Sequence, residues 1–111
     1  MRAPVRVMTL VVALAPVAAS AAPEFTTQRY ACDRGVEVPA TYVTTAEGDL
    51  VVINVDGSQI TLLGEAAASG ARYGWPSDGS GYVWWTKGDA ATLYWKTPEG
   101  ETPLLTCAFA G

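Results

Sequence analysis

Short segments in which apolar and polar residues alternate recur along the chain, beyond an apolar N-terminal stretch. Val51, Ile53 and Val55 fall on one face of an extended segment, and the same period of two recurs over residues 90–96. No stretch has a convincing apolar stripe with the period of a helix; residues 65–68 could form at most one helical turn. The pattern therefore predicts a chain built from β-strands.

Turn compositions separate these segments at intervals of about 8 to 12 residues. The clearest is Asp56-Gly57, a dipeptide typical of a tight hairpin between antiparallel strands. The eight predicted strands are Gln28 to Asp33, Val36 to Thr44, Leu50 to Val55, Gln59 to Leu63, Ala71 to Tyr73, Tyr82 to Thr86, Ala90 to Lys96 and Pro103 to Phe109.

Eight short antiparallel strands in so small a domain indicate a closed barrel or a small sandwich. Closure removes exposed strand edges, and an eight-stranded barrel is about wide enough for its own side chains to fill. We therefore expect an all-β fold, a small closed antiparallel barrel whose interior holds side chains and not a ligand. Function is then expected on loops that the barrel holds rigid.

The first 21 residues have the composition of an export signal. Arg2 and Arg6 form a basic start, residues 7–15 form an apolar run, and Ala19-Ser20-Ala21 offers the small residues that a signal peptidase requires. The apolar run is too short for a membrane-spanning helix. The sequence thus predicts a signal peptide over residues 1–21 and a mature domain over residues 22–111.

The predicted mature domain contains two cysteines. In an exported chain they are expected to form one disulfide, Cys32 to Cys107, between the first and last segments of the fold. A redox-active pair is the alternative, but it usually needs a close Cys-x-x-Cys spacing. A lipoprotein would carry a cysteine at the cleavage point, whereas Cys32 lies ten residues beyond Ala22. We therefore expect a periplasmic protein without a stable membrane anchor.

Composition narrows the chemistry further. The chain has no histidine, which excludes His-dependent triads and His-ligated metal sites; we expect no metal and no cofactor.

Without residues 1–21, 5 basic and 11 acidic residues give a net charge of −6. No basic cluster could follow a phosphate backbone, so nucleic acid is not an expected partner. The acidic surface favours encounter with a basic macromolecule or serves solubility alone.

Three segments carry candidate binding residues. Ser69-Gly70-Ala71-Arg72-Tyr73 joins a flexible turn to a cationic and an aromatic residue, and the run from Trp84 to Ala90 projects Lys87 from a tight turn. We expect one of Trp84 and Trp85 to face inward and the other outward. The loop from Gly74 to Gly81 is rich in small residues and carries one tryptophan. Each segment also has a purely structural interpretation, as a strand entry, a hairpin or a solvated connector.

Together these motifs resemble those of the inhibitors of C-type lysozyme, the MliC/PliC family. The Tyr-x-Cys segment followed by Gly is matched by Tyr30 to Gly35, and the Ser-Gly-x-x-Tyr loop by Ser69 to Tyr73. The Trp-x-Lys-Gly-x-x-Ala-x-Leu hairpin is matched by Trp85 to Leu93, and Cys107 supplies the late cysteine. The motifs occur in the family's order over essentially the whole mature chain, although the Trp and Pro of the loop from Gly74 to Gly81 are not recognised as family features.

The resemblance implies an eight-stranded barrel that inhibits a C-type lysozyme, a basic protein, and that is not itself an enzyme. Ser69 and Lys87 would enter the lysozyme cleft and contact its two catalytic carboxyl groups. The missing lipoprotein cysteine favours the periplasmic branch of the family, and a homodimer is neither indicated nor excluded. The lysozyme-binding residues that the resemblance implies are Ser69, Gly70, Arg72, Tyr73, Lys87 and Gly88.

Two other functions compete for the same residues. Ser69 and Lys87 could form a Ser-Lys catalytic dyad, which would require a buried lysine. Alternatively, the chain could be a barrel that binds a small ligand or saccharide, with Trp75, Trp84 and Tyr82 as stacking platforms. An open-mouthed, empty interior would favour the second alternative.

Overall fold

The computed structural model describes residues 3–5, 9–13 and 22–111. Most of the predicted signal peptide, residues 1–21, lies outside the described residues. Within the described ranges, no helix has the length and apolar character needed to cross a membrane. The strands are β1 (Glu24–Cys32), β2 (Glu37–Thr45), β3 (Gly48–Val55), β4 (Ser58–Glu65), β5 (Ala71–Gly74), β6 (Gly81–Lys87), β7 (Ala90–Thr97) and β8 (Gly100–Phe109).

Each strand pairs antiparallel with the next, and β8 pairs with β1, so the sheet closes into a barrel. The predicted all-β closed barrel is therefore confirmed. β1 is longer than predicted, because residues 24–27 pair with residues 41–44 of β2. The single helical turn considered for residues 65–68 does not form, since Glu65 pairs with Arg72 as the last residue of β4.

Tight turns connect most neighbouring strands. Asp56 and Gly57 link β3 to β4 and both have positive φ, at 50° and 83°. Two positive φ angles in a two-residue hairpin match the right-handed twist of the flanking strands, which explains the Asp-Gly pair. A 3-10 turn, Asp33–Gly35, leads from β1 towards β2.

The core fills the barrel with inward-facing side chains of every strand. Trp84 is fully buried at its centre, and its indole N–H donates to the Tyr42 hydroxyl at 2.9 Å. The Tyr42 and Tyr30 hydroxyls lie 2.7 Å apart, within hydrogen-bond distance. Burial raises the pKa of Tyr42, with the Trp84 hydrogen bond acting in the opposite direction. The buried apolar residues are Tyr30, Val38, Ala40, Val51, Ile53, Leu62, Tyr73, Val83, Trp84, Ala91, Leu93, Leu105 and Cys107.

The Cys32–Cys107 disulfide joins the two strands that close the barrel. β1 pairs with β8 only over residues 30–32, whereas it pairs with β2 over residues 24–31. The bridge therefore reinforces the shortest pairing of β1. Beside it, the backbone N–H of Thr106 donates to the Asp33 carboxylate at 2.8 Å, which ties β8 to the turn after β1.

Replacing both cysteines by serine is expected to lower the free energy of unfolding by about 4 kcal/mol, because a closed loop of this length restricts the unfolded chain. The double variant Cys32→Ser/Cys107→Ser is preferable to Cys32→Ser, since it leaves no free thiol. Urea unfolding followed by tryptophan fluorescence measures the change. An unchanged unfolding midpoint would show that strand pairing alone closes the barrel.

Candidate functional site

The loop of residues 66–70 packs against the end of β6. Gly70 has a φ of +66°, and a methyl group added there would overlap the carbonyl oxygen of Thr86 and lie 3.3 Å from Cβ of Lys87. Only glycine permits both this φ and this approach. The sequence Ser69-Gly70 therefore places the loop directly beside Lys87.

Ser69 is exposed on this loop, and a neighbouring strand fixes its backbone. The indole N–H of Trp85 donates to the Ser69 carbonyl oxygen at 3.0 Å. Trp85 points outward and is partly exposed, while its neighbour Trp84 lies in the core, as the alternation predicted. The outward tryptophan thus holds the loop that presents Ser69.

Lys87 is exposed at the end of β6, where the chain turns into β7. Gly88 occupies the first position of the two-residue turn with a φ of +58°. The backbone N–H of Phe109 donates to the Asp89 carbonyl oxygen at 2.7 Å and fastens the turn to β8. The salt bridges of the described part of the chain involve Arg29 and Arg72, so Lys87 is available to an external carboxylate.

Arg72 is committed to internal ion pairs. Its Nε donates to Glu65 Oε1 at 2.6 Å, and its two terminal nitrogens donate to the Glu101 carboxylate. The hydrogen bonds to Glu101 raise the pKa of Arg72 above its ordinary value, and the same interaction lowers the pKa of Glu101. Arg72 therefore links the end of β4 to β8 beneath the 66–70 loop.

Tyr73 lies in the core and is only 7% exposed. Its ring centroid is 5.7 Å from that of Tyr42, and burial raises the pKa of its hydroxyl. This position suits support of the loop from the inside and does not suit direct contact with a partner.

A depression of about 540 Å³ lies beside the loop, lined by residues 66–69, Arg72, Trp85, Tyr94 and Glu101. The sequence did not assign Trp85, Glu65 or Glu101 to the site. Trp85 could have been assigned to the site from its position in the Trp-x-Lys-Gly motif. Glu101 gave no such signal, because the pairing of β5 through β8, and not proximity along the chain, brings it to Arg72.

This end of the barrel offers one exposed hydroxyl residue and one exposed ammonium group on rigid turns. A Ser-Lys dyad would need a desolvated lysine, and Lys87 lies on the surface. The arrangement is suited to hydrogen bonding and ion pairing with a concave partner.

A family model described as membrane-bound lysozyme inhibitor of C-type lysozyme, MliC, matches residues 30–102 of this chain. The matched segment starts at Tyr30 and includes both candidate loops. It ends before Cys107, whose bond to Cys32 the structure shows directly.

Two curated relatives carry the same description. One, from Cupriavidus necator H16, is 35% identical over 71 residues, which cover 64% of this chain and 54% of the relative. The other, from Pseudomonas aeruginosa PAO1, is 37% identical over 73 residues, which cover 65% of this chain and 54% of the relative. The matched part of the chain thus spans about half the length of each relative.

A solved structure of Pseudomonas aeruginosa MliC in complex with hen egg white lysozyme is similar over the whole fold. The TM-score is 0.63 at 27% sequence identity, with 99% of this chain and 100% of that chain covered. The shared barrel, the matched motifs and the family model agree. The chain therefore belongs to the MliC family of lysozyme inhibitors.

Proposed function

We propose that this protein inhibits a C-type lysozyme by inserting Ser69 and Lys87 into the active-site cleft of the enzyme. Membership of the MliC family supports this function, as does the similarity to an MliC chain solved in complex with hen egg white lysozyme. The barrel acts as a rigid support, and it presents the two residues on neighbouring turns at one end.

The close packing of Gly70 against Thr86 and Lys87 carries the proposal. It brings two segments that lie 18 residues apart in sequence, Ser69 and Lys87, to one exposed edge. Because both turns are fixed by backbone hydrogen bonds or close contacts, little conformational entropy is lost when they enter a cleft.

The chemistry of the two side chains matches that of a retaining glycosidase. Such an enzyme presents one protonated acid and one carboxylate about 5 Å apart. The Ser69 hydroxyl can hydrogen-bond the acid, and the Lys87 ammonium can pair with the carboxylate where water is excluded. Since the inhibitor offers no glycosidic bond, the complex forms without turnover, and the protein acts as a ligand and not as an enzyme.

Three further residues have supporting roles and do not contact the catalytic carboxyl groups: Gly88, Arg72 and Tyr73. Gly88 allows the narrow turn that projects Lys87, and Arg72 anchors the strands beneath the loop through Glu65 and Glu101. Tyr73 supports the same strand from the core. Each of them acts by positioning Ser69 or Lys87.

Export to the periplasm fits the proposal. The N-terminal residues have the composition of a signal peptide, and the disulfide requires an oxidising compartment. We propose a periplasmic protein that is not a lipoprotein, which meets lysozyme as the enzyme reaches the cell wall. Mass spectrometry of the protein from the periplasmic fraction would identify its first residue and any attached lipid.

The direct test measures the initial rate of cell-wall lysis by hen egg white lysozyme with increasing amounts of residues 22–111 in oxidising buffer. The proposal expects stoichiometric inhibition. A sample that is folded and disulfide-bonded but does not inhibit this or other C-type lysozymes would overturn it.

Lys87→Ala is expected to weaken lysozyme binding by about 2 to 5 kcal/mol, because it removes one member of a charge pair that the complex buries. The melting temperature should change little, since an exposed lysine contributes little to folding. Titration calorimetry and thermal unfolding measure the two effects. Lys96→Ala is the matched control and should retain affinity; equal losses in both variants would indicate a general charge effect.

Trp85→Phe is expected to weaken inhibition by about tenfold, because it keeps an aromatic ring but removes the hydrogen bond that holds Ser69. The lysis assay measures inhibition, and a parallel unfolding experiment measures stability. Trp75→Phe, at an exposed tryptophan outside the two turns, is the control. If Trp85→Phe inhibited as well as the wild type, the indole N–H would have no positioning role.

Association with lysozyme is expected to slow as salt rises, because opposite net charges accelerate the encounter. Between about 0.01 and 0.15 M salt the screening length falls from about 30 to 8 Å, which weakens long-range attraction most. Stopped-flow or surface-plasmon kinetics would show the association rate falling more than the dissociation rate rises. An association rate that is insensitive to salt would leave the acidic surface with a solubility role alone.

A further inference from the structure

The barrel wall has an opening where β5 stops. β5 has four residues and pairs with β4 only over residues 63–65, whereas β4 begins at Ser58. Beyond that pairing, residues 59–61 face β6 across a groove, and within the described residues no strand lies between them. On this side the backbone of β4 is an unpaired strand edge, which exposes both N–H donors and C=O acceptors.

Three aromatic side chains line this opening, which we call the aromatic groove. Trp75 and Trp95 are 49% and 36% exposed, and Tyr82 lies edge-on to Trp95 with ring centroids 5.0 Å apart. Ile60 lies between the aromatic residues and the core. Two tryptophans at this level are thus partly exposed to solvent.

Backbone contacts fix the position of Trp75. Its N–H donates to the Tyr82 carbonyl oxygen at 3.1 Å, and a methyl group added to Gly81 would lie 2.5 Å from its Cβ. Gly81 therefore lets the tryptophan sit directly on the start of β6. The following loop is also hydrogen-bonded, from the N–H of Ser77 to the Trp75 carbonyl oxygen at 2.8 Å. The aromatic wall is thus present before any ligand binds.

The polar lining of the groove is neutral. Gln59, Thr61 and Ser80 contribute amide or hydroxyl groups, and among residues 22–111 no charged side chain lines the opening. The volume is about 300 Å³, at the small end of the range for small-molecule sites. The lining therefore combines flat aromatic faces with uncharged donors and acceptors.

We propose that the aromatic groove binds a neutral saccharide. A pyranose ring has an apolar face that stacks on an aromatic ring and hydroxyl groups that both donate and accept hydrogen bonds. The hydroxyl groups of such a ligand can hydrogen-bond both the unpaired backbone groups of β4 and the side chains of Gln59 and Thr61. A proline-rich segment has few donors, so it would leave the exposed carbonyl groups unpaired. Trp75 already pairs with the start of β6 through its backbone N–H, which leaves less of that edge free for an added strand.

This saccharide site is separate from the proposed lysozyme-binding edge. β6 runs from Gly81 at the groove to Lys87 at the other end, a length of about 20 Å. The groove also differs from the interior site considered from the sequence, because Trp84 is fully buried and cannot stack on a ligand. Saccharide binding and lysozyme inhibition can therefore be tested independently.

The experiment titrates residues 22–111 with chitotetraose, cellotetraose and maltotetraose in the absence of lysozyme. Amide and indole chemical shifts in nitrogen-15 NMR spectra report the site. At least one saccharide should bind with a dissociation constant of about 1 mM or lower and shift the indole signals of Trp75 and Trp95 but not that of Trp84.

Trp75→Ala should weaken binding about tenfold. Phe25→Ala, at an exposed aromatic residue outside the groove, should bind as the wild type does.

Several results would overturn the proposal. One is the absence of shifts with all three saccharides at about tenfold higher concentrations than the expected dissociation constant. Others are shifts that map away from the groove, equal effects of the two variants, or shifts at the groove that only a proline-rich peptide produces. If Trp75→Ala proved unfolded, Trp95→Ala would take its place, while the wild-type titration would still decide the question.

Discussion

Closure of the barrel between β1 and β8 is the constraint on which the rest of the structure depends. The two strands pair over residues 30–32 only, and the Cys32–Cys107 bond fixes them there. Opening this seam would expose two strand edges and the tyrosine of β1 that packs against Trp84. A small core gains little stability from its area alone, so a covalent link at one of its shortest strand pairings has a large effect.

A closed wall also explains how two short turns can be held accurately enough to fit a cleft. Trp85 fixes the carbonyl of Ser69, and β8 fixes the turn after Lys87 through the amide of Phe109. Arg72 reaches β8 through Glu101, so the supports of both turns converge on the strand that the disulfide anchors. The proposed binding edge thus takes its rigidity from contacts with β8.

Most of the fold could be predicted from the sequence, because alternation and turn residues are local signals. The Asp56-Gly57 turn and all eight strands follow from them. The support of the site could not be predicted in this way. The ion pair between Arg72 and Glu101 joins residues 29 apart, and the register of the paired strands β5 to β8 brings them together. The burial of Tyr73 required the strand register, since its motif position suits either face.

The shortness of β5 accounts for both of the proposed binding surfaces. On the N-terminal side of β5, the chain leaves β4 at Glu65 and enters β5 at Ala71. The loop between them packs against β6 beside Lys87, because Gly70 permits the close approach. After β5, the chain leaves the sheet at Gly74, so the first half of β4 has no partner on that side and Trp75 lies over the gap. A full-length strand would have closed the gap and left no room for the loop. One four-residue strand therefore leaves room for the proposed lysozyme-binding edge at one end of the barrel and for the aromatic groove at the other.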